Sequence, residues 1–193
     1  MEQKIDMIVN RLPAKTWNRL SVNQAEIKDL TADGWQRPAV TVRYPKDEKP
    51  IVRELTTEQE SSVYKKMEQI RIGMGAEVSR LKPEDATDIC VETVEEGGES
   101  DERRERMRRD EVVLVLDYPD RKNCFQDVKI YARAGESVTV WTVVRSKKDA
   151  EGKAVLRTLL QAEENAKIRL VQVDLLGDRM QLFNDIGVES GKQ

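Results

Sequence analysis

The sequence predicts a mainly β protein of α+β type, in which an N-terminal helical region precedes the first coils of a parallel β-helix (β-solenoid). The main observation is a thirty-residue recurrence of apolar residues in the second half of the chain. The second observation is a set of helix signals in the first half of the chain. A fixed recurrence of about 20–50 residues is typical of solenoids, in which a repeat buries its apolar face only by stacking on the next repeat.

The recurrence comprises two full copies and the start of a third. Ile130, Ala132, Gly135, Val138, Val140 and Val143 recur thirty positions later as Leu160, Ala162, Asn165, Ile168, Leu170 and Val173. The third copy is predicted about twenty-six residues further on, with Ile186, Val188 and Gly191. In each copy a bend at Gly135, Asn165 or Gly191 separates two stretches, and Gly and Asn tolerate positive φ best. The period-2 alternation of the stretches predicts strands with one buried face.

Two architectures are compatible with these strands. One is a set of antiparallel hairpins in a sandwich or barrel, and the other is a parallel β-helix with equivalent residues stacked about 4.8 Å apart. Hairpins usually carry two-residue turns such as Asn-Gly, and within residues 112–193 Gly177-Asp178 is the only pair near that pattern. The in-register recurrence therefore favours the stacked coil.

The first half of the chain contains helix and loop signals. Residues 1–30 are predicted to form two short helices interrupted at Pro13, since proline is tolerated in the first turn of a helix. Residues 31–55 are predicted to be loop, apart from a short strand at Val40–Tyr44.

A further helix is predicted from Thr57 to about Ile72. Thr57 and Glu60 have the spacing of a capping box, in which each side chain accepts a hydrogen bond from the other residue's backbone N–H. The apolar stripe of this helix consists of Val63, Met67 and Ile70. A short strand is predicted around Ile89 and Val91.

Residues 95–111 are the most polar segment and are predicted to be a charged linker or exposed helix. The five arginines, Arg103, Arg104, Arg106, Arg108 and Arg109, are balanced by Asp101, Glu102, Glu105, Asp110 and Glu111. Since counterion release needs net positive charge, nucleic-acid binding is not expected. Val112–Leu116 predicts a fully buried strand. We therefore predict two units, 1–110 and 112–193, with a boundary near residue 110.

Composition limits the functional class. The 193 residues carry a net charge of −3, with 36% charged and 5% aromatic residues. No run of 18 apolar residues occurs, so no transmembrane helix is expected. The N-terminus, with Glu2 and Asp6, lacks the apolar core of a secretory signal, and we expect a cytoplasmic protein.

The residue types needed for catalysis are scarce. The chain has no histidine, and Cys90 and Cys124 are its only cysteines, so zinc sites and catalytic triads are poorly supplied. Gly73-Met74-Gly75 lacks the third glycine of a phosphate-binding loop. Asp174, Asp178 and Asp185 lack the tight spacing of a calcium loop, and turn aspartates are usually structural. We therefore predict no catalytic, cofactor-binding or metal-binding residues, and no enzyme.

Two stretches resemble a known family. LLQAEENAKIRLVQV at 159–173, followed by LLGD at 175–178 and NDIG at 184–187, is similar to the first coils of the SufB/SufD iron–sulfur cluster assembly proteins. LPAKTWNRLSVN at 12–23 resembles the opening of SufD-like members. These motifs consist of fold-forming residues, so no site residue is transferred with them.

The resemblance implies a fold and a set of partners. Members have an N-terminal helical region, a right-handed parallel β-helix and a helical C-terminal segment. A SufB–SufD pair binds two copies of the ABC ATPase SufC, and ATP binding rearranges the pair so that a cluster can be assembled and transferred. The iron–sulfur cluster is thus implied for the full-length complex, and ATP through the ATPase.

The family's principal cluster ligands and SufC-docking helices belong to later coils, so the sequence matches the N-terminal part only. We expect this chain to bind no cofactor itself. An open coil end also exposes unpaired backbone groups, so we expect self-association through residues 159–193.

Two other functional classes are compatible with a solenoid. One is a β-solenoid interaction module unrelated to metal, which would bind a protein or a polysaccharide through one face. Aromatic residues are few, and Trp141 could face either way, which weakens the polysaccharide version. The other is an acyltransferase-type left-handed helix, whose hexapeptide period is absent.

The face assignment predicts opposite effects of substitutions at neighbouring positions. Val140→Asp or Leu170→Asp should destabilise the fold by several kcal/mol, because each buries an unpaired carboxylate. Arg169→Asp, on the solvent face, should change stability by less than about 1 kcal/mol. Thermal melts that reversed this order would show that the faces are wrongly assigned.

Overall fold

The computed structural model describes residues 4–9, 25–31, 34–43, 50–70, 72–74, 76–94 and 111–191. The strands are β1 (Lys4–Val9), β2 (Ala25–Thr31), β3 (Trp35–Gln36), β4 (Ala39–Arg43), β5 (Ile51–Leu55), β6 (Asp88–Glu92), β7 (Glu111–Tyr118), β8 (Asn123–Ala132), β9 (Ser137–Ser146), β10 (Glu151–Ala162), β11 (Lys167–Leu175) and β12 (Arg179–Ser190). The helix α1 spans Ser62–Met67, and a 3-10 helix spans Ala76–Leu81. The described part is thus mostly β.

Two sheets built mainly from parallel pairs form the body of the structure. Sheet I has the order β12-β10-β8-β6-β5, with β3 also paired to β8, and sheet II has the order β11-β9-β7-β4. From β7 onward the chain alternates between the sheets, and each strand lies parallel to the strand two further on. Only β4 in sheet II and β5 in sheet I pair antiparallel.

The thirty-residue recurrence sets the register of β8 with β10 and of β9 with β11. In sheet I, Ile130 lies opposite Leu160 and Ala132 opposite Ala162. In sheet II, Val138 lies opposite Ile168 and Val140 opposite Leu170. The stacking predicted for the first two copies is therefore confirmed.

The main core lies between the two sheets and consists of the inward-facing side chains of these stacked rows. Its fully buried members include Val112, Leu114, Leu116, Val128, Ile130, Val140 and Leu156. Val140 is completely buried, and Leu170 is half-buried against the core. Arg169 is exposed, in agreement with its predicted solvent face.

The bends after β8 and β10 use the predicted residues. Gly135 has φ of 71° and Asn165 has φ of 57°. Both lie in the left-handed region, which glycine enters freely and asparagine tolerates better than most residues.

The third copy is offset differently from the prediction. Val188 lies opposite Leu160, so β12 follows β10 by twenty-eight residues and not by twenty-six. The cause is a shorter path between sheets: β10 begins 14 residues after β9 begins, and β12 begins 12 residues after β11. Gly191 consequently follows Ser190 beside Ala162, and it is not the equivalent of Asn165.

The predicted N-terminal helical region is wrong for the described residues. Lys4–Val9 and Ala25–Thr31 form an antiparallel pair in which Ile5 lies opposite Leu30. Both side chains are buried against Trp35, Val78 and Phe125, so packing onto sheet I outweighs local helix signals. The helix start at Pro13 and the segment 12–23 lie outside the described residues.

Two other local predictions need correction. Residues 31–55 contain β3 and β5 in addition to the predicted strand, which is confirmed as β4. The helix predicted from Thr57 is shorter, since residues 57–59 form a turn and α1 begins at Ser62. Glu60 does not act in a capping box, because both of its carboxylate oxygens accept hydrogen bonds from Lys129.

The remaining strand predictions are confirmed. Ile89 and Val91 lie in β6, and Val112–Leu116 lies in β7, although Val113 is only half-buried. Residues 95–110 lie outside the described residues, and the boundary near residue 110 stays a prediction. Among the described residues, no helix has the length and apolarity to cross a membrane.

Candidate functional site

The outer face of sheet I carries charged side chains in positions that the covering segments bury. Asp127 and Lys129 project from β8, and Arg157 projects from β10 directly beside Asp127. The alternation of strand residues sends these side chains away from the main core, toward the layer formed by α1 and the 3-10 helix.

The covering layer supplies three of the partners, and strand β6 of sheet I supplies the fourth. Glu60 precedes α1, Glu68 follows it, Lys82 follows the 3-10 helix, and Asp88 begins β6. Together they form the charge cluster: Glu60, Glu68, Lys82, Asp88, Asp127, Lys129 and Arg157.

Lys129 is the centre of the cluster. Its Nζ lies 2.9 Å from each carboxylate oxygen of Glu60, 2.6 Å from Glu68 Oε1 and 2.9 Å from Asp88 Oδ2. The side chain is completely buried. Three carboxyl groups therefore surround one ammonium group that has lost all its water.

The other two cations join the remaining carboxylates. Lys82 Nζ lies 2.6 Å from Asp88 Oδ1 and 3.2 Å from Asp127 Oδ2. Arg157 donates two hydrogen bonds to Asp127, of 2.6 and 2.5 Å, and its Nη2 lies 2.9 Å from Glu68 Oε2. Such bidentate pairing is among the stronger arrangements available to a buried ion pair.

Glu60 and Asp88 differ in how readily they hold a proton. Burial, followed by a hydrogen bond with Asp88, raises the pKa of Glu60 from 4.5 to about 7. Burial alone would raise the pKa of Asp88 as well, but the hydrogen bond with Glu60 and the charges of Lys129 and Lys82 lower it. With Glu60 protonated, three carboxylates balance three cations, so the cluster is neutral.

The same carboxylates have the spacing of metal ligands. Oxygens of Glu68, Asp88 and Asp127 lie within 4.8 Å of one another. The nitrogens of Lys82, Lys129 and Arg157 lie among these oxygens at hydrogen-bonding distance. The compensation that a divalent cation would give is thus supplied by side chains, and the cluster acts as a clamp between the covering layer and sheet I.

A second polar feature lies where strands of sheet I begin. A groove of about 470 Å³ is lined by Arg121, Asn123, Glu151, Gly152, Lys153, Arg179 and Gln181. Arg179 and Glu151 form an ion pair of 3.1 Å across it. The groove is open to solvent and has both charge signs, so it does not select one class of ligand.

The two cysteine thiols and the Gly73-Met74 segment have structural roles. Cys90 and Cys124 are free and fully buried, and burial raises the pKa of their thiols to about 12 and about 11. A thiol with a raised pKa is a poor nucleophile and metal ligand at neutral pH. The backbone N–H groups of Gly73 and Met74 donate to the carboxylate of Asp185, at 2.9 and 2.5 Å.

The aspartates considered as cation ligands in the sequence, Asp174, Asp178 and Asp185, do not come together into a ligand site. Asp185 is buried on β12 with those two backbone donors, whereas Asp174 and Asp178 are exposed. Among the described residues, the carboxylates that come together are instead those of Glu68, Asp88 and Asp127. One sequence signal pointed there: Asp127 and Arg157 are oppositely charged and thirty residues apart, so the repeat places them side by side.

Comparison with known proteins gives no relative. No family model matches the chain, and no curated protein or solved structure is significantly similar to it.

The central lysine of the charge cluster should be essential for stability. Lys129→Met leaves Glu68 and Asp88 without their shared cation, and we expect a loss of about 3–5 kcal/mol in the free energy of unfolding. Lys65→Met, on the exposed surface of α1, is the matched control and should change it by less than about 0.5 kcal/mol. Adding Asp88→Asn to Lys129→Met should restore part of the loss, and chemical denaturation measures all four proteins. Equal losses at positions 65 and 129 would contradict the clamp.

The raised pKa of Glu60 predicts that the free energy of unfolding depends on pH. Between pH 4.5 and about 7, folded Glu60 keeps a proton that the unfolded chain has released, so its contribution to the free energy of unfolding falls as pH rises. Relative to Glu60→Gln, which is always neutral, the wild type should lose up to about 3 kcal/mol between pH 4.5 and 8. Exposed Glu58→Gln is the control and should leave the wild-type slope unchanged. If the difference in the free energy of unfolding between wild type and Glu60→Gln stayed constant over this pH range, the raised pKa of Glu60 would be refuted.

Proposed function

We propose that this chain is the scaffold part of an assembly protein, and that its alternating strands are the first coils of a right-handed parallel β-helix. The observation that carries the proposal is the thirty-residue offset that β8–β10 in sheet I shares with β9–β11 in sheet II, together with positive φ at the two bends. A coil with such a register can be extended by further repeats without changing its cross-section. It therefore suits a rigid support for partner proteins.

The proposed assembly is the SufBCD-type machinery for iron–sulfur clusters. The support is the resemblance of residues 159–187 to the first coils of SufB/SufD proteins, since these residues form β11 and most of β12 in the stacked register. The partners would be a SufB/SufD-type subunit and a SufC-type ABC ATPase, acting in the cytoplasm. The iron–sulfur cluster and ATP would be bound by the full-length complex.

The role proposed for this chain is non-catalytic. The charge cluster is internally paired around Lys129, and both thiols are buried with raised pKa values. These groups stabilise the fold, and we assign no catalytic or ligand residue to the chain.

A second candidate is a β-solenoid interaction module unrelated to metal. It is favoured by the outer face of sheet II, where Val113, Trp141 and Val171 form one cross-strand row. Val143 and Val173 belong to the next row, and all five side chains are half-buried. An apolar sheet face of this kind suits a protein partner.

The two candidates differ in their genomic neighbours and partners. The coding region around residue 193 should be read first, for further coils with cysteine and histidine and for a neighbouring gene that encodes an ABC-type ATPase. The encoded protein should then be co-expressed with that ATPase. A complex that survives size-exclusion chromatography, with a stability that changes on ATP addition, is the result expected for the assembly role.

The control for this experiment is Trp141→Glu with Val143→Lys, which makes the outer face of sheet II polar without touching the main core. These changes should leave the ATPase complex intact if the assembly role is correct. Absence of an ATPase neighbour, or no complex with it, would contradict the assembly role and leave the interaction module.

A further inference from the structure

The last strand of sheet I leaves apolar side chains uncovered. Among the described residues, β12 pairs with β10 on one side and with no strand on the other. Ile186 and Val188, whose neighbours across the pair are buried Thr158 and Leu160, are 43% and 64% exposed. The edge therefore exposes residues of the type found in the core. Proteins usually protect such sheet edges by strand pairing or by charged side chains.

The sequence of β12 is nearly symmetric about Asn184. If a second copy of β12 lies antiparallel beside the first with Asn184 opposite Asn184, the core-facing residues pair as Met180 with Val188 and Leu182 with Ile186. On the outer face the same register places Arg179 opposite Glu189. Apolar and opposite-charge pairs directly across an antiparallel ladder are both stabilising.

Neighbouring registers lose this complementarity. A shift that keeps the same faces and centres on Asp185 places two carboxylates opposite each other, and one that centres on Gly187 places Asp185 opposite Glu189. Centring on Ile186 pairs Leu182 with Ser190, and centring on Phe183 pairs Leu182 with Asn184 and takes Arg179 away from Glu189. Registers between these would put core-facing residues against solvent-facing ones.

We propose that a second copy of this chain docks antiparallel along β12, about a two-fold axis through Asn184. The contact is isologous, so each copy contributes the same strand and the assembly closes as a dimer. It covers Met180, Leu182, Ile186 and Val188 of both copies and joins each Arg179 to the partner's Glu189. The inference does not rest on the iron–sulfur assignment. The further coils of that assignment would pair with the same edge, so a dimer through β12 favours the interaction module.

Light scattering coupled to size-exclusion chromatography tests the location of the interface. The wild type should be a dimer that dissociates on dilution, and Ile186→Lys with Val188→Lys should be a folded monomer, because both positions are already exposed. Lys65→Glu, on α1, is the control and should remain a dimer. A wild-type monomer at several hundred micromolar, or a dimer that survives the two lysines, would overturn the proposal.

Charge reversal tests the pairing of Arg179 with Glu189. Arg179→Glu alone and Glu189→Arg alone should each weaken dimerisation at least tenfold, and the double reversal should restore it. Arg179 also pairs with Glu151 in its own chain, but both groups are largely exposed, so that pair contributes little to stability. Failure of the double reversal to recover affinity would reject this register.

A cysteine at the two-fold axis tests the register independently. Asn184→Cys should form an intermolecular disulfide under mild oxidation, because side chains directly opposite in an antiparallel pair are within reach of one another. Ile186→Cys should not, since the two copies of residue 186 lie four positions apart along the ladder. Both native cysteines are fully buried and do not compete. Preferential cross-linking through residue 186 would contradict the proposal.

Discussion

The fold depends on the parallel stacking of like side chains at a fixed offset. Ile130 on Leu160 and Val140 on Leu170 place apolar residues above apolar residues in both sheets at once. A one-residue slip would turn every core-facing side chain of a strand toward solvent, so the register is held by the whole row. The bends at Gly135 and Asn165 keep that offset constant by returning the chain to the opposite sheet after the same number of residues.

The charge cluster solves a problem that stacking creates. Strands with one face in the core send the alternate residues outward, and the N-terminal segments cover this outer face of sheet I. Asp127, Lys129 and Arg157 would be costly there without partners. Glu60, Glu68 and Lys82 come from the covering layer, and Asp88 comes from the start of β6. Together they neutralise these side chains, so the cluster fixes the covering layer at a specific position on the sheet.

The sequence predicted the parts of the structure that repeat. The rows from Ile130 and Val138 could be read from spacing alone, because a repeat places each residue against its own equivalent. The β1–β2 pair could not, since it is stabilised by Ile5 and Leu30 packing on distant Phe125. The charge cluster joins residues 60–88 to residues 127–157, and only the pair Asp127 and Arg157 follows the repeat. The sequence did not predict the offset between β10 and β12 correctly, because that offset depends on the length of the path from β11 to β12.

The offset between strands is also the most direct test of the account. NMR cross-strand NOEs should join residue i of β8 to residue i+30 of β10 along the whole pair, from Cys124 with Ala154 to Ala132 with Ala162. The same spectra should show a difference of 28 between β10 and β12. NOEs in which the sum of the residue numbers is constant, and not the difference, would mean antiparallel strands and would contradict the parallel stacking.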